Sequence, residues 1–176
     1  MQATQQKAID AAQLALQRCP NDYLLHYLHA GLLLRKQRED VKDSAPQTRE
    51  NFDAIRSDLE ESIRLNPDFP HSHYDLARME FDGREYSKAE QQVKAALVAD
   101  PQFMSAHYLL GRIYLKQGRS GAGMAEIRMV DRQHREEIQR MQDVGQKLLA
   151  QQARGVTTTL PALATDTPPS SRPLSQ

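Results

Sequence analysis

Six histidines are the first residues in this 176-residue chain that could do chemistry, and three of them, His26, His73 and His107, are each followed by tyrosine. A trio of imidazoles suggests zinc. Zinc needs its nitrogen ligands within about 2.1 Å of one ion, whereas equivalent positions in successive helical pairs lie roughly 10 Å apart, so the trio cannot share a metal. His26 and His29 would lie on one helix face without an evident third ligand, and His71 and His73 would point in different directions. Asp131, His134 and Glu137 recur at three-residue steps and could be drawn as an acid–base set, but exposed helices with mixed charges produce such spacings routinely. The run "GRSGAG" at Gly118–Gly123 has neither the Lys-Ser/Thr nor the preceding strand of a phosphate loop. These residues imply no enzyme, no cofactor and no metal.

Composition narrows the remaining classes. The formal net charge is zero, which argues against nucleic acid or an acidic membrane as the main partner, since both demand an excess of Lys and Arg. The charge is unevenly spread: residues 1–100 hold 13 basic and 17 acidic side chains, residues 101–154 hold 9 and 5. Cys19 is alone, so the chain forms no internal disulfide and its redox compartment stays open. The N-terminus lacks the basic start and apolar run of a secretory signal, and no window approaches a membrane span. The chain as given reads as soluble and cytoplasmic; a signal peptide ahead of residue 1 in a longer chain would make it periplasmic or envelope-associated.

The elements that position the histidines follow from the prolines. Pro20, Pro67 and Pro101 each precede a His-Tyr pair by six residues, and both Pro67 to Pro101 and His73 to His107 span 34 residues. In the third copy His107, Leu110, Gly111 and Tyr114 stand where the tetratricopeptide repeat places Trp, Leu, Gly and Tyr. Gly118 makes the turn, and Gly123 and Ile127 take the places of Ala and Phe. The second copy supplies Leu76, Ala77, Ala89, Val93 and Ala96 and closes with "ALVADP". The chain therefore resembles a bacterial-type tetratricopeptide repeat protein, which implies an all-α helix-turn-helix repeat solenoid, a right-handed superhelix. His in place of Trp in every copy, His29 in place of Leu and Glu80 in place of Tyr are departures that weaken packing.

The resemblance divides the chain into a solenoid over 1–154 and a tail over 155–176. A half repeat at 6–20 carries Ala8, Ala12, Ala15 and Leu16 at second-helix positions; it is either a natural cap or the remnant of a fuller repeat. A repeat at 23–67 follows, 13 residues longer than the period, with its insertion near 36–50. We read it as a lengthened first helix, a loop near Asp43–Gln47 and a second helix from about Thr48 to Leu65 with Ile55, Leu59, Ser62 and Ile63 inward. Repeats at 70–101 and 104–135 complete the set. The next proline stop would fall on Arg135, so the last helix is expected to run on from about Ala122 to Arg154, with a break near Gly155. The Thr-, Pro- and Ser-rich tail has too few large apolar residues to offset the entropy of ordering and is expected to be disordered.

In this family first helices line a concave groove. Carried over position by position, the groove holds Tyr27, Tyr74 and Tyr108, then Gly31, Arg78 and Arg112, then Leu34, Phe81 and Leu115, with Lys116 at the rim. Tyr and Arg dominate recognition energy because each offers a large surface with a polar tip. The implied function is a protein–protein interaction scaffold binding a peptide or partner helix, acidic with an aromatic or aliphatic anchor. One family subtype grips a terminal carboxylate with Lys and Asn, but Tyr27, Gly31 and Asp75 stand there, so that activity is not implied. The alternatives are weak homo-oligomerisation through the C-terminal helix and an accessory role in a larger enzyme.

Overall fold

A computed structural model describes residues 2–42 and 49–156. They form seven helices: α1 (Gln2–Arg18), α2 (Tyr23–Lys42), α3 (Arg49–Leu65), α4 (Pro70–Asp82), α5 (Tyr86–Ala99), α6 (Met104–Lys116) and α7 (Ser120–Val156). The expected disordered tail from residue 157 onward and the expected loop at Asp43–Gln47 lie outside the described residues. The long last helix is present and continues through Gly155 to Val156, since one glycine weakens a helix without stopping it. Residues up to Arg132 make one compact unit, and those from Gln133 a second.

Within the first unit, helices adjacent in sequence pack as neighbours, α1 on α2, α2 on α3, and so on to α5 on α6, with α4 also touching α6. Two apolar clusters result. The first gathers Ile9, Ala30, Leu33, Ile55, Leu59 and Leu76; the second is built on Ala77, Val93, Leu110 and Ile113. Between them a buried hydrogen bond of 2.7 Å joins the hydroxyls of Ser62 and Ser72. Ile55, Leu59 and Ser62 face inward without residual exposure, while Ile63 packs at the cluster's edge.

The punctuation between helices repeats as faithfully as the helices. Asn66 and Asp100, 34 residues apart, each accept a backbone N–H two residues on (Asp68 at 3.2 Å, Gln102 at 2.9 Å). Each thus turns the chain at its proline. At the other end, the N–H of Glu85 reaches the carbonyl of Glu80 and that of Arg119 the carbonyl of Tyr114, both at 2.8 Å. These are paired helix-ending motifs that need one left-handed residue. In the third repeat that residue is Gly118, φ 78°; in the second it is Arg84, φ 62°, because Gly83 stands one place too early with φ −74°.

Two side chains show what the departures from the repeat cost. Glu80, where the family places Tyr, is almost wholly buried, and its Oε2 has no partner among the described residues. Burial pushes its carboxyl up, against the pull of Arg56 at 3.8 Å. Glu90, by contrast, is held down at about 2, first by its hydrogen bond with Lys94 and then, against burial, by those with Gln117 and Arg119. That carboxylate ties α5 to the end of α6, where the Arg119 guanidinium also lies 3.9 Å from the centre of the Tyr114 ring.

Close approach of α6 and α7 depends on two glycines facing each other. A Cβ on Gly123 would meet the Gly111 carbonyl oxygen at 2.7 Å, and a Cβ on Gly111 would meet Ile127 at 2.8 Å and the Gly123 carbonyl at 2.9 Å. Gly123→Ala is therefore expected to destabilise the protein by about 1–3 kcal/mol despite alanine's better helix propensity. Arg84→Gly should stabilise it by about 0.5–1 kcal/mol by relieving a left-handed non-glycine. Urea denaturation of both variants checks the opposite signs.

Candidate interaction surface

The surface is built on the histidines. In each repeat the imidazole Nε2 donates to the carbonyl of the proline six residues before it: His26 to Pro20 at 2.9 Å, His73 to Pro67 at 3.0 Å, His107 to Pro101 at 2.9 Å. In each repeat Nδ1 meets an oxygen on the following helix: Asp58 at 3.0 Å, Gln92 at 2.8 Å, Glu126 at 2.8 Å. The sequence separations are 32, 19 and 19, and 32 is 19 plus the insertion's 13. The ring thus pins the turn, the first helix and the second helix of its repeat together, which a Trp could do only through packing and one N–H. Among the described residues no group of three or more ligand-type side chains could hold a metal.

With each histidine turned toward its own repeat, the following tyrosine faces the next one. Tyr27 lies against Phe69, ring centres 5.0 Å apart and nearly perpendicular, and Tyr74 lies against Phe103 at 5.0 Å. His71 joins the two sets, 5.3 Å from Phe69 and 5.0 Å from Phe103. Tyr27 and Tyr74 are consequently half-buried seals between repeats, whereas Tyr108, with no equivalent phenylalanine after it, is 48% exposed.

The arginines sit beyond the tyrosines. Arg112 is exposed, its guanidinium 4.6 Å from the centre of the Phe81 ring of the previous repeat, and has no carboxylate partner among the described residues. Phe81 is itself buried, so it is a platform for Arg112 rather than a free groove contact. Arg78 lies 6.0 Å from the Tyr74 ring centre and 3.8 Å from Asp75. Leu115 and Lys116 are exposed at the end of α6, and Leu34 lines a cavity instead of open surface.

That cavity, of about 220 Å³, opens between α2, α3 and α4. Leu34, Phe52 and Met79 form its apolar wall, Arg38 and Arg78 its cationic edge, and Gln37, Asp75 and Asp82 complete it. Burial pushes the Asp75 carboxyl up, opposed by Arg78, Arg38 and the Tyr27 hydroxyl. Burial and the Asp75 charge together push the Tyr27 phenol up. Two positions expected in the groove, Leu34 and Arg78, line this cavity; Phe52, Gln37 and Arg38 beside them, and Phe69 and Phe103 under the tyrosines, were not singled out from the sequence. The two phenylalanines were findable: each follows its proline by two residues, 34 apart.

The unequal duties of the tyrosines are testable. Tyr74→Ala should cost about 1–2 kcal/mol by opening the seam to Phe103, and Tyr108→Ala should stay within about 0.5 kcal/mol of the parent, as exposed substitutions do. Thermal and denaturant unfolding of both variants checks this.

Comparison with known proteins agrees with the fold. A family model described as tetratricopeptide repeat matches residues 48–102 and 74–135. The human protein named antiviral innate immune response effector IFIT1 is 31% identical over 127 residues, 65% of this chain. The chain spans 26% of the length of that relative. Among solved structures, TTC0263, a thermophilic repeat protein of Thermus thermophilus, superposes with a TM-score of 0.62 at 18% identity, covering 84% of this chain and 74% of that one. MamA from Desulfovibrio magneticus RS-1 superposes with a TM-score of 0.60 at 16% identity, covering 76% and 68%. No helix among the described residues is long and apolar enough to cross a membrane. With a 34-residue period, its turns, its helix pairs and the family match all in agreement, the chain belongs to the tetratricopeptide repeat family, whose repeats serve as protein–protein interaction scaffolds.

Proposed function

We propose that the face carried by α4 and α6, with the cavity beside it, binds an extended or helical segment of a protein partner. The segment presents acidic residues to Arg112 and Arg78 and inserts an aliphatic or aromatic side chain between Leu34, Phe52 and Met79. The observation that carries this reading is Arg112, an exposed cation seated on an aromatic platform with no carboxylate partner among the described residues, one period from an arginine at a cavity edge. Arg78 is the weaker of the two, because an incoming carboxylate competes with Asp75 for it. Tyr108 is the exposed aromatic beside Arg112, and the cavity volume suits one large side chain.

A second reading rests on its own observation. In the unit beyond Arg132, Ile138, Met141, Val144 and Leu148 follow each other at three- and four-residue spacing on α7 and are 43–68% exposed. This stripe supports self-association of the chain through α7.

Fluorescence anisotropy with labelled acidic-aromatic peptides separates the two. Tyr108→Ala should abolish most binding. Arg112→Ala should weaken it by about 0.2–1 kcal/mol and flatten its salt dependence, as loss of one exposed charge pair does. Equal binding by parent and both variants, together with a concentration-dependent mass in light scattering that Met141→Glu removes, would replace the groove with α7 as the working surface.

A further inference from the structure

The histidine of the first repeat stands in a hydrogen-bonding position that the histidine of the second does not share. His26 Nε2 lies 2.9 Å from the Pro20 carbonyl and Nδ1 lies 3.0 Å from Asp58 Oδ1. Neither a peptide carbonyl nor an ionised carboxylate can donate, so both contacts are hydrogen bonds only when both ring nitrogens carry hydrogen. Asp58 is also engaged through its second oxygen, which accepts from His29 Nδ1 at 2.6 Å. All three side chains are largely shielded, 13–14% exposed. In the second repeat the group opposite His73 is the Gln92 amide, which by a half-turn offers either its oxygen or its NH₂. A neutral ring satisfies that site.

The groups that face His26 are few. From α3 come Asp58 and Glu61, from its own helix His29, and from the preceding turn the Pro20 carbonyl. Glu61 is itself paired with Arg64 at 2.6 Å. Burial by itself favours the neutral ring, but the hydrogen bonds to Asp58 and Pro20 and the charges of Asp58 and Glu61 outweigh it and raise His26 above its ordinary value.

We infer that the first helix pair contains a proton-dependent latch: the His26 imidazolium bridges the Pro20 carbonyl and the Asp58 carboxylate, and loss of its proton loosens the packing of α2 on α3. The second pair, bridged by His73 and Gln92, holds without that proton; the third, with His107 between the Pro101 carbonyl and Glu126, repeats the carboxylate arrangement of the first at a more exposed site. A group with a raised value in the folded state stabilises fully below its unfolded value of about 6.5 and ceases to as pH rises through the folded value. The latch is therefore closed in mildly acidic solution and open in mildly alkaline solution. It does not depend on what binds the surface, but it has a consequence there. Leu34, Gln37 and Arg38 of α2 and Phe52 of α3 are opposite parts of one cavity lining, so loosening changes the cavity.

Two-bond proton–nitrogen correlation spectra of the histidine rings in the full chain, recorded from about pH 5.5 to about pH 8.5, read the protonation of His26 directly. Amide exchange protection of α2 and α4 is measured on the same samples. The expected result is an imidazolium pattern for His26 persisting above the pH at which a histidine model peptide has become neutral, with protection of α2 falling as that pattern is lost. Asp58→Asn should bring the His26 transition down and flatten the pH dependence of α2, and Gln92→Glu should confer such a dependence on α4. A His26 that titrates with the model peptide or below it, or α2 protection that stays constant through the His26 transition, overturns the latch. Those two readings come from the parent protein, so they stand even if a variant fails to fold.

Discussion

The imidazole held between a proline carbonyl and the second helix is the interaction on which the rest of this structure depends. A helical pair on its own has two degrees of freedom that apolar packing fixes poorly, namely the entry direction of the chain and the rotation of the first helix against the second. One ring with two directional nitrogens fixes both, since Nε2 reaches back to the turn and Nδ1 reaches across to the partner helix. The neighbouring tyrosine is then turned outward from the pair, where it meets the phenylalanine that opens the next repeat. Fixing the inside of a repeat in this way also sets how repeats meet.

The same alternation explains why the surface is uneven. At the two internal seams tyrosine is consumed by Phe69 and Phe103, and only at the third position does an exposed ring remain. Arginine behaves in parallel, Arg78 drawn toward Asp75 and Arg112 resting on Phe81. Exposed aromatic and cationic surface therefore increases along α2, α4 and α6, while the cavity lies at the opposite, earlier part of the row. For the binding mode proposed above, a ligand using both would have to reach from one repeat to another, as an extended peptide segment does.

Much of this was legible in the residues. Spacing of prolines and small residues sufficed for helix pairs, because Pro and Gly act locally through φ and steric size. The inward set of α3 followed from a three-and-four period. The fates of the tyrosines and of Leu34 and Phe81 were not legible, because whether a position on a first helix faces solvent or the adjoining repeat depends on the tilt between pairs, and a 34-residue period does not encode that angle. Arg84 was hidden by Gly83: a glycine beside the turn suggests the left-handed residue, and only the backbone reveals that the arginine takes it. Glu80 was visible as a departure, but the orphaned oxygen it leaves inside the protein was not.

The 13 extra residues of the first repeat lie in sequence between His26 and Asp58, yet the bridge between those two side chains has the geometry of its counterparts in the other repeats. Most of the extra length is carried by the helices themselves, α2 with 20 residues and α3 with 17 against 13 and 14 for α4 and α5, and the docking bridge is unaffected by it. For protein engineering, the junction between α2 and α3 is a ready-made insertion port. A fluorophore-bearing loop, an affinity epitope or a small folded domain placed between Lys42 and Arg49 would show how far the two helices can be separated in sequence while the His26–Asp58 bridge holds.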